Sequence, residues 1–237
     1  MLNYTTYVNT ICTLLVATTS DANFATVLPN GIEYAELKCY RDLDLLNTIV
    51  RDNSAALTAG SRNFALPSTN GTPVVTEQLN VITPASTTTA DLGTRNPLLP
   101  VSRESIDFLY PSVAGSTVPQ YFAMVNQTNA IVAPWPDQNY TMEFVGTIRP
   151  ATLTAVPGTT LLSVFFPDLF VAASMVYFTG YQRDFGQQST DPQAAMSWED
   201  QYQRLLKSSQ IEEARKKFAA EGWSPKEPSP IATPPRS

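Results

Sequence analysis

The side chains that could do chemistry in this 237-residue chain are carboxylates and aromatics, because it contains no histidine. Without histidine there is no Ser-His-Asp or Cys-His nucleophile, no His-ligated metal, and no common acid-base near neutral pH. Glu33, Glu36, Asp42 and Asp44 crowd one short stretch beside Arg41. Their spacing singles out neither a hydrolase pair nor a metal site. The plainest reading is a solvated acidic helix face. The functional reading is a channel wall, or a face that pairs between subunits with Arg41 or Arg51. Trp135, Tyr140 and nearby acids could line a carbohydrate-binding or hydrolytic cleft, whereas Asp137 in Pro134-Trp-Pro-Asp has the chemistry of a turn former. Two cysteines, Cys12 and Cys39, are too few for a disulfide scaffold and read as buried free thiols. No glycine-rich phosphate loop occurs. Asn126-Gln-Thr128 and Asn139-Tyr-Thr141 match glycosylation sequons without a secretory signal beside them. No cofactor and no enzymatic activity are expected.

The elements that must position these residues start with two helices. Tyr4, Tyr7, Val8, Ile11, Leu14 and Leu15 recur at helical spacing and predict a helix over about 3–17. A second is expected from about Asn30 to Leu46, after Pro29, with Ile32, Ala35, Cys39, Leu43 and Leu46 on its apolar stripe. From about Thr48 to Ala151 helical periodicity fades and strand-like runs appear at 74–82, 121–126, 130–133 and 140–149. Gln127-Thr-Asn between two of them signals a hairpin. Pro84 to Pro100 reads as a long exposed loop, and Ser102 as the cap of a short helix that ends before Pro111. Helical grammar returns at Pro167, with Leu169, Phe170, Ala173, Val176, Tyr177 and Tyr181 on one face and Gly186 past the end. After a loop at 187–193, a last helix is expected from Ser197 to Gly222. Trp198, Tyr202, Leu205, Ile211, Ala214 and Phe218 form its apolar side, and Glu212-Lys216 and Glu213-Lys217 are spaced to pair.

The final segment, Trp223-Ser-Pro-Lys-Glu-Pro-Ser-Pro-Ile-Ala-Thr-Pro-Pro-Arg-Ser237, is proline-rich and cannot continue a helix or join a central strand. It reads as an extended docking tail. Trp223, Pro225, Pro228, Pro230, Ile231, Pro234, Pro235 and Arg236 are its candidate partner contacts, since rigid and aromatic residues bind at low entropic cost. The alternative is a Trp223 that caps its own helices.

The expected fold class is therefore α+β: a four-helix bundle-like domain, an inserted antiparallel β-rich domain and an extended proline-rich C-terminal tail. The expected boundaries are 1–47 and 152–222 for the helical domain, 48–151 for the insertion and 223–237 for the tail.

Composition narrows the function classes. Only 15% of residues are charged, well below the usual quarter, so the surface suits a subunit that buries much of itself in an assembly. A net charge of −6 argues against sequence-specific nucleic-acid binding, which needs basic patches, but not against a duplex sliding past. The start, Met1-Leu-Asn-Tyr-Thr, lacks the basic region of a signal peptide, and Pro167-Asp168 interrupts the most apolar run, so no membrane role is expected.

In its order of motifs the chain resembles the head-to-tail adaptor (connector) proteins of tailed bacteriophages, especially the long adaptors of short-tailed phages. The resemblance runs through Phe24-x-x-x-Leu-Pro and Ile32-x-x-Ala-Glu-x-x-x-x-Arg-Asp-Leu43. It continues through Phe108-Leu-Tyr-Pro, Pro119-Gln-Tyr-Phe-Ala-Met, Ala133-Pro-Trp-Pro-Asp137, Tyr140-Thr-Met-Glu-Phe and Arg149-Pro150. Phe166-Pro-Asp-Leu169 and Trp198-Glu-Asp-x-Tyr202 complete it. No single motif is specific, but their order covers nearly all of the chain. The resemblance implies a virion protein made in the host cytoplasm. It implies a homo-oligomeric ring, commonly a dodecamer, below the portal protein and above a tail or nozzle protein, with double-stranded DNA passing through and the C-terminal segment docked on the portal.

Overall fold

A computed structural model describes residues 2–86, 89–156, 158–184 and 193–220. Among the described residues the protein is mixed α+β, with six helices and two sheets. It divides into two compact units, Met1–Leu46 with Leu162–Ser237, and Asn47–Leu161.

In the first unit the hub is α5 (Pro167–Asp184), preceded by the short α4 (Leu161–Phe165). Leu169, Phe170, Ala172, Ala173, Met175 and Phe178 are all buried, so α5 is covered on most of its circumference. The expected stripe is partly displaced, because Val176 and Tyr177 are only half-buried. Around α5 pack α1 (Tyr4–Leu15), α2 (Ala22–Asp42) and α6 (Gln193–Ala220).

Asn3 starts α1: its side chain accepts from the Thr6 amide, and the Thr6 hydroxyl accepts from the Asn3 amide, each at 2.8 Å. Tyr7 then stacks on Phe170 with ring centroids 4.9 Å apart, and its hydroxyl donates to Ser174 Oγ at 2.9 Å. Burial raises the Tyr7 phenol's pKa, so this contact is between neutral groups.

The expected start of α2 after Pro29 is wrong. Asp21 caps the helix by accepting from the Asn23 and Phe24 amides at 2.8 and 3.3 Å, and Pro29 lies inside it. Proline removes the amide that would bond Ala25 O, but both residues are exposed and water can serve that carbonyl. Burial of Phe24, Val27 and Leu28 holds the extra turns. Likewise α6 begins at Gln193, so Ser197 is an interior helix residue and not the cap. Gly186, most of the expected 187–193 loop, Gly222 and the whole of 223–237 fall outside the described residues.

The second unit is two packed sheets. One has the order β1-β8-β3-β4, all antiparallel: β1 (Ile49–Leu57), β8 (Tyr140–Arg149), β3 (Thr72–Thr83) and β4 (Thr94–Pro97). The other runs β2-β7-β6-β5: β2 (Asn63–Ala65), β7 (Asn129–Ala133), β6 (Tyr121–Met124) and β5 (Leu99–Pro100), with β5 parallel to β6. Leu79, Val81, Met142 and Phe144 of the first sheet share a core with Phe64, Phe122, Ala130 and Val132 of the second. The β6–β7 hairpin closes on Asn126, whose Oδ1 accepts from the Thr128 and Asn129 amides at 3.0 and 2.8 Å. Ser102 caps α3 (Arg103–Leu109) through the Ser105 amide at 3.2 Å.

The stretch 84–100 is not one exposed loop. Thr94–Pro97 pairs with β3, Leu98 is buried and donates its amide to Leu79 O at 2.8 Å, and Leu99–Pro100 joins the second sheet. Both strands are sheet edges, where proline's missing donor is harmless. The long strand β1 was hidden from the sequence by a bulge between Asp52 and Ala55 that breaks its alternation. Ile49 pairs with Thr147, so the first and last strands of this unit lie side by side and its two chain ends emerge together.

At one position helix packing depends on the absence of a side chain. A Cβ on Gly31 would lie 2.2 Å from the tip of the Phe178 ring, and Phe178 is itself 1% exposed with no room to retreat. Gly31→Ala gains about 1 kcal/mol of helix propensity but incurs roughly 1–3 kcal/mol of over-packing. The expected result is a net destabilisation of the helical unit, read as a lower denaturation midpoint by far-UV circular dichroism. An unchanged or raised midpoint would refute the close packing.

Candidate functional site

The residues flagged from sequence converge in part at the seam of α2 and α6. Glu33 and Arg41 are exposed, but Glu36 is buried at 4% exposure, so the four acids do not form one solvated face. Asp42 accepts the Tyr202 hydroxyl at 2.7 Å. Asp44, just past the helix, pairs with Lys217. Lys38 pairs with Glu199 and lies over the Tyr202 ring, 4.4 Å from its centroid. Buried Glu213 accepts from the Leu46 amide and from Lys216, both at 2.8 Å. Glu212–Lys216 pairs as spaced, at 2.6 Å, but the expected Glu213–Lys217 pair is replaced because each finds a partner elsewhere. Arg51 lies in the second unit, 3.6 Å from Glu143.

This seam has the chemistry of a clasp. It borders an open groove of about 340 Å³ lined by Tyr34, Lys38, Arg41, Asp42, Glu199 and Gln203. Burial works to raise the Glu199 pKa, but hydrogen bonds from Lys38 and Gln203 outweigh it and hold the carboxyl below its usual range. Burial and the nearby Asp42 push the Cys39 thiol up to about 12, so it is a poor nucleophile. Cys39 and Cys12 are both free and buried. The opposite side of α6 also differs from expectation. Tyr202, Leu206, Ser209 and Glu213 face inward, while Ile211 and Phe218 are 55% and 48% exposed.

A second polar cluster was missed from sequence. Glu143 on β8 is 0% exposed and accepts from Asn80 Nδ2 and Arg95 Nε, each at 2.9 Å. Arg95 also pairs with Asp91 at 2.7 Å. With Arg51, these residues come from all four strands of the sheet. The signal lay in the period-2 pattern, which sets Glu143 on the face opposite Met142 and Phe144. A carboxylate so enclosed and hydrogen-bonded ties the strands of the sheet together.

The aromatic residues of a carbohydrate cleft are engaged internally. Trp135 donates Nε1–H to Tyr110 O at 3.2 Å and carries the Arg62 guanidinium 5.4 Å from its ring centroid, with Arg62 paired to Asp107 at 2.6 Å. Tyr140 is 4% exposed and donates to Asp137 at 2.8 Å; burial and that carboxylate push its phenol up to about 12. Among the described residues no group of three His, Cys, Asp or Glu could hold a metal ion, and no helix is long and apolar enough to cross a membrane.

The chain belongs to the SU10 adaptor protein family, whose model matches residues 2–225 and so runs through both units. Membership makes it a structural adaptor of bacteriophages and a component of the virion. Comparison with curated protein sequences found no match.

Two consequences are measurable. Glu143→Ala leaves buried Asn80 without its acceptor, while Arg95 keeps Asp91, and is expected to destabilise the second unit by about 1–3 kcal/mol. Trp135 is the one tryptophan of that unit, so its fluorescence in a Trp198→Phe, Trp223→Phe background reports the unfolding. A loss below 1 kcal/mol would contradict the clasp. Glu199, whose pKa is depressed on folding, contributes stability that is present above its unfolded value of about 4.3 and is lost as pH falls through the folded value. Because the Glu199 side chain is 37% exposed, Glu199→Gln is expected to lose no more than about 1 kcal/mol at pH 7. The gap between variant and parent closes in acid below the ordinary carboxylate pKa. A gap of the same size at both ends would exclude the ionised pair as its source.

Proposed function

We propose that this protein is a subunit of a ring, commonly twelve-fold, that joins the portal to the tail of a phage particle. In this reading double-stranded DNA passes through the ring without sequence-specific contacts. The observation that carries the reading is the family match from residue 2 to residue 225. The low charge density supports it, since a subunit enclosed by neighbours needs little charge for solubility. The helical unit is the ring-forming part, with Glu33, Arg41, Asp42 and Asp44 near the channel or between subunits; buried Glu36 is not part of that face. The β-rich unit faces the tail or nozzle protein. The tail residues Trp223, Pro225, Pro228, Pro230, Ile231, Pro234, Pro235 and Arg236 dock on the portal. The protein acts as a structural part and not as an enzyme: Glu143 and Glu199 are paired, and Trp135 and Tyr140 are engaged within the chain.

Imaging of the particle neck tests the ring directly, and a truncation tests the tail. Removing Trp223 to Ser237 is expected to leave the melting of both units unchanged and to reduce co-sedimentation with portal at least tenfold. Normal portal binding by the truncated chain would sink the docking role, and unfolding would make the segment part of the core.

A further inference from the structure

The open groove between α2 and α6, about 340 Å³ in volume, has an aromatic wall and one unpaired cation. Tyr34, Leu37 and Arg41 follow one another at helical spacing on α2 and line one side, with Glu199 and Gln203 of α6 opposite. Tyr34 is 39% exposed, and its ring lies beside that of Tyr177 on α5 with centroids 5.2 Å apart. Tyr177 in turn meets the buried Phe178 edge-on, at 5.7 Å and 81°. The two tyrosines are thus braced from behind and offer a fixed surface, which half-buried Leu37 extends. Most charges around this wall are engaged within the unit. Lys38 pairs with Glu199, Glu199 also accepts from Gln203, and Asp42 accepts from Tyr202. Arg41 is the exception: it is exposed and makes no ion pair among the described residues.

An aromatic wall beside a lone cation suits an extended, proline-rich segment that carries an acid. Such segments dock on exposed aromatic rings and lose little conformational freedom in doing so. The chain itself carries one, at residues 223–237. A polyproline helix repeats every three residues. At that period Pro225, Pro228, Ile231 and Pro234 fall on one ridge, and Glu227 stands beside Pro228. Length and direction agree as well. Lys38 with Glu199, Asp42 with Tyr202 and the Leu46 amide with Glu213 set α2 and α6 parallel. Gln210 donates to Asp42 O at 3.2 Å, level with Arg41. From Gln210, α6 runs on to Ala220, about 15 Å further along its axis. A segment doubling back from Ala220 covers about 22 Å by Glu227, enough to reach Arg41. Arg41 to Tyr34 is then about 10 Å along α2, and Glu227 to Ile231 about 12 Å along the segment.

We infer that in the free subunit the proline-rich segment lies back along the α2–α6 groove of its own chain. Glu227 meets Arg41, and Pro228 and Ile231 cover Leu37 and Tyr34. The groove is open, so the segment exchanges on and off it, adds little to the melting of the unit and stays available to another partner. This goes beyond the portal-docking reading and does not depend on it. Where both hold, groove and portal compete for the same prolines, and the subunit releases its segment on meeting the portal.

The test is cross-linking in the purified full-length chain at low concentration. Ser229→Cys is combined either with Gln203→Cys, in the groove, or with Gln201→Cys, at the same level of α6 but on its opposite side. Both glutamines are exposed. The native thiols Cys12 and Cys39 are buried, so the parent chain serves as the unreactive control. A short bismaleimide is expected to close a loop within one chain at least fivefold faster for the Gln203 pair than for the Gln201 pair, read by intact mass and peptide mapping. Equal rates overturn the inference, since a segment without a seat meets both sides alike. A covalent dimer from the Gln203 pair overturns it too, because the occupant is then the segment of a second copy. Charge reversal gives an independent readout. Arg41→Glu and Glu227→Arg are each expected to slow the Gln203 reaction at least threefold, and the two together to restore it. A rate that neither reversal moves, or that the pair fails to restore, refutes the contact. Portal binding by the same variants separates the two readings: binding that persists without the Gln203 preference sinks this inference and leaves portal docking in place.

Discussion

Phe170 and Phe178, two turns apart on α5, carry the contacts that join the two ends of the chain. Phe170 stacks on Tyr7 of α1, and Phe178 fills the space above Gly31 and tilts against Phe24 of α2. Each ring, fully buried, contributes on the order of 1.5–3 kcal/mol. That must offset the entropy of bringing together segments separated by the whole β-rich unit. The separation is less costly than its length implies. Closure entropy grows only slowly with loop length, and the intervening unit delivers its two ends together because β1 and β8 are paired neighbours. Once that strand pair has formed, the helices on either side are connected by short segments and the α5 contacts become local.

The charged contacts between α2 and α6 do a different job from the aromatic ones. Exposed ion pairs such as Lys217 with Asp44 contribute little stability, since water and salt screen them. They do set register. Lys38 with Glu199, Asp42 with Tyr202, Asp44 with Lys217 and the Leu46 amide with Glu213 fix four successive levels of one helix against the other. The last is the strongest, because it satisfies a backbone donor at a site where water is scarce. An α6 slipped by one turn would keep the Glu213–Lys216 pair but carry Glu213 away from the Leu46 amide, leaving that donor without its acceptor.

Much of the element list was legible in the sequence, and the losses have physical causes. The span of β8, the Ser102 cap, the β6–β7 hairpin and the helical stripe of α1 follow from local chemistry that the fold respects. Pro29 misled because burial of Phe24, Val27 and Leu28 outweighs one lost hydrogen bond on an exposed helix face. The stretch 84–100 reads as a loop because it is polar and without periodicity, yet short edge strands such as Thr94–Pro97 and Leu99–Pro100 need neither an apolar pattern nor a donor on their open side. The polar side chains were harder. Glu36 and Glu33 look alike on a helical wheel, and only packing turns the first inward. Glu143 is invisible as a site until β1, β3 and β4 assemble around it. Phe218 and Ile211 read as core because their spacing is right for it, yet Tyr202, Leu206 and Ser209 take that side of α6.

In the proposed ring, subunits of net charge −6 would have to meet their own copies. Like-charged subunits repel, and the repulsion is smallest where the approaching surface carries no charge at all. Several of its charges are paired internally, at Glu143 and along the α2–α6 seam. It leaves α1 and the first half of α2 nearly bare of them. Back-bonded threonines lower the polarity of α1 further, since the Thr10 and Thr13 hydroxyls donate to carbonyls of their own helix. A threonine whose hydroxyl is bound to its own helix is soluble enough before assembly and dry enough after it. A bare face of this kind suits a protein that is made as single chains and functions only when enclosed by its neighbours.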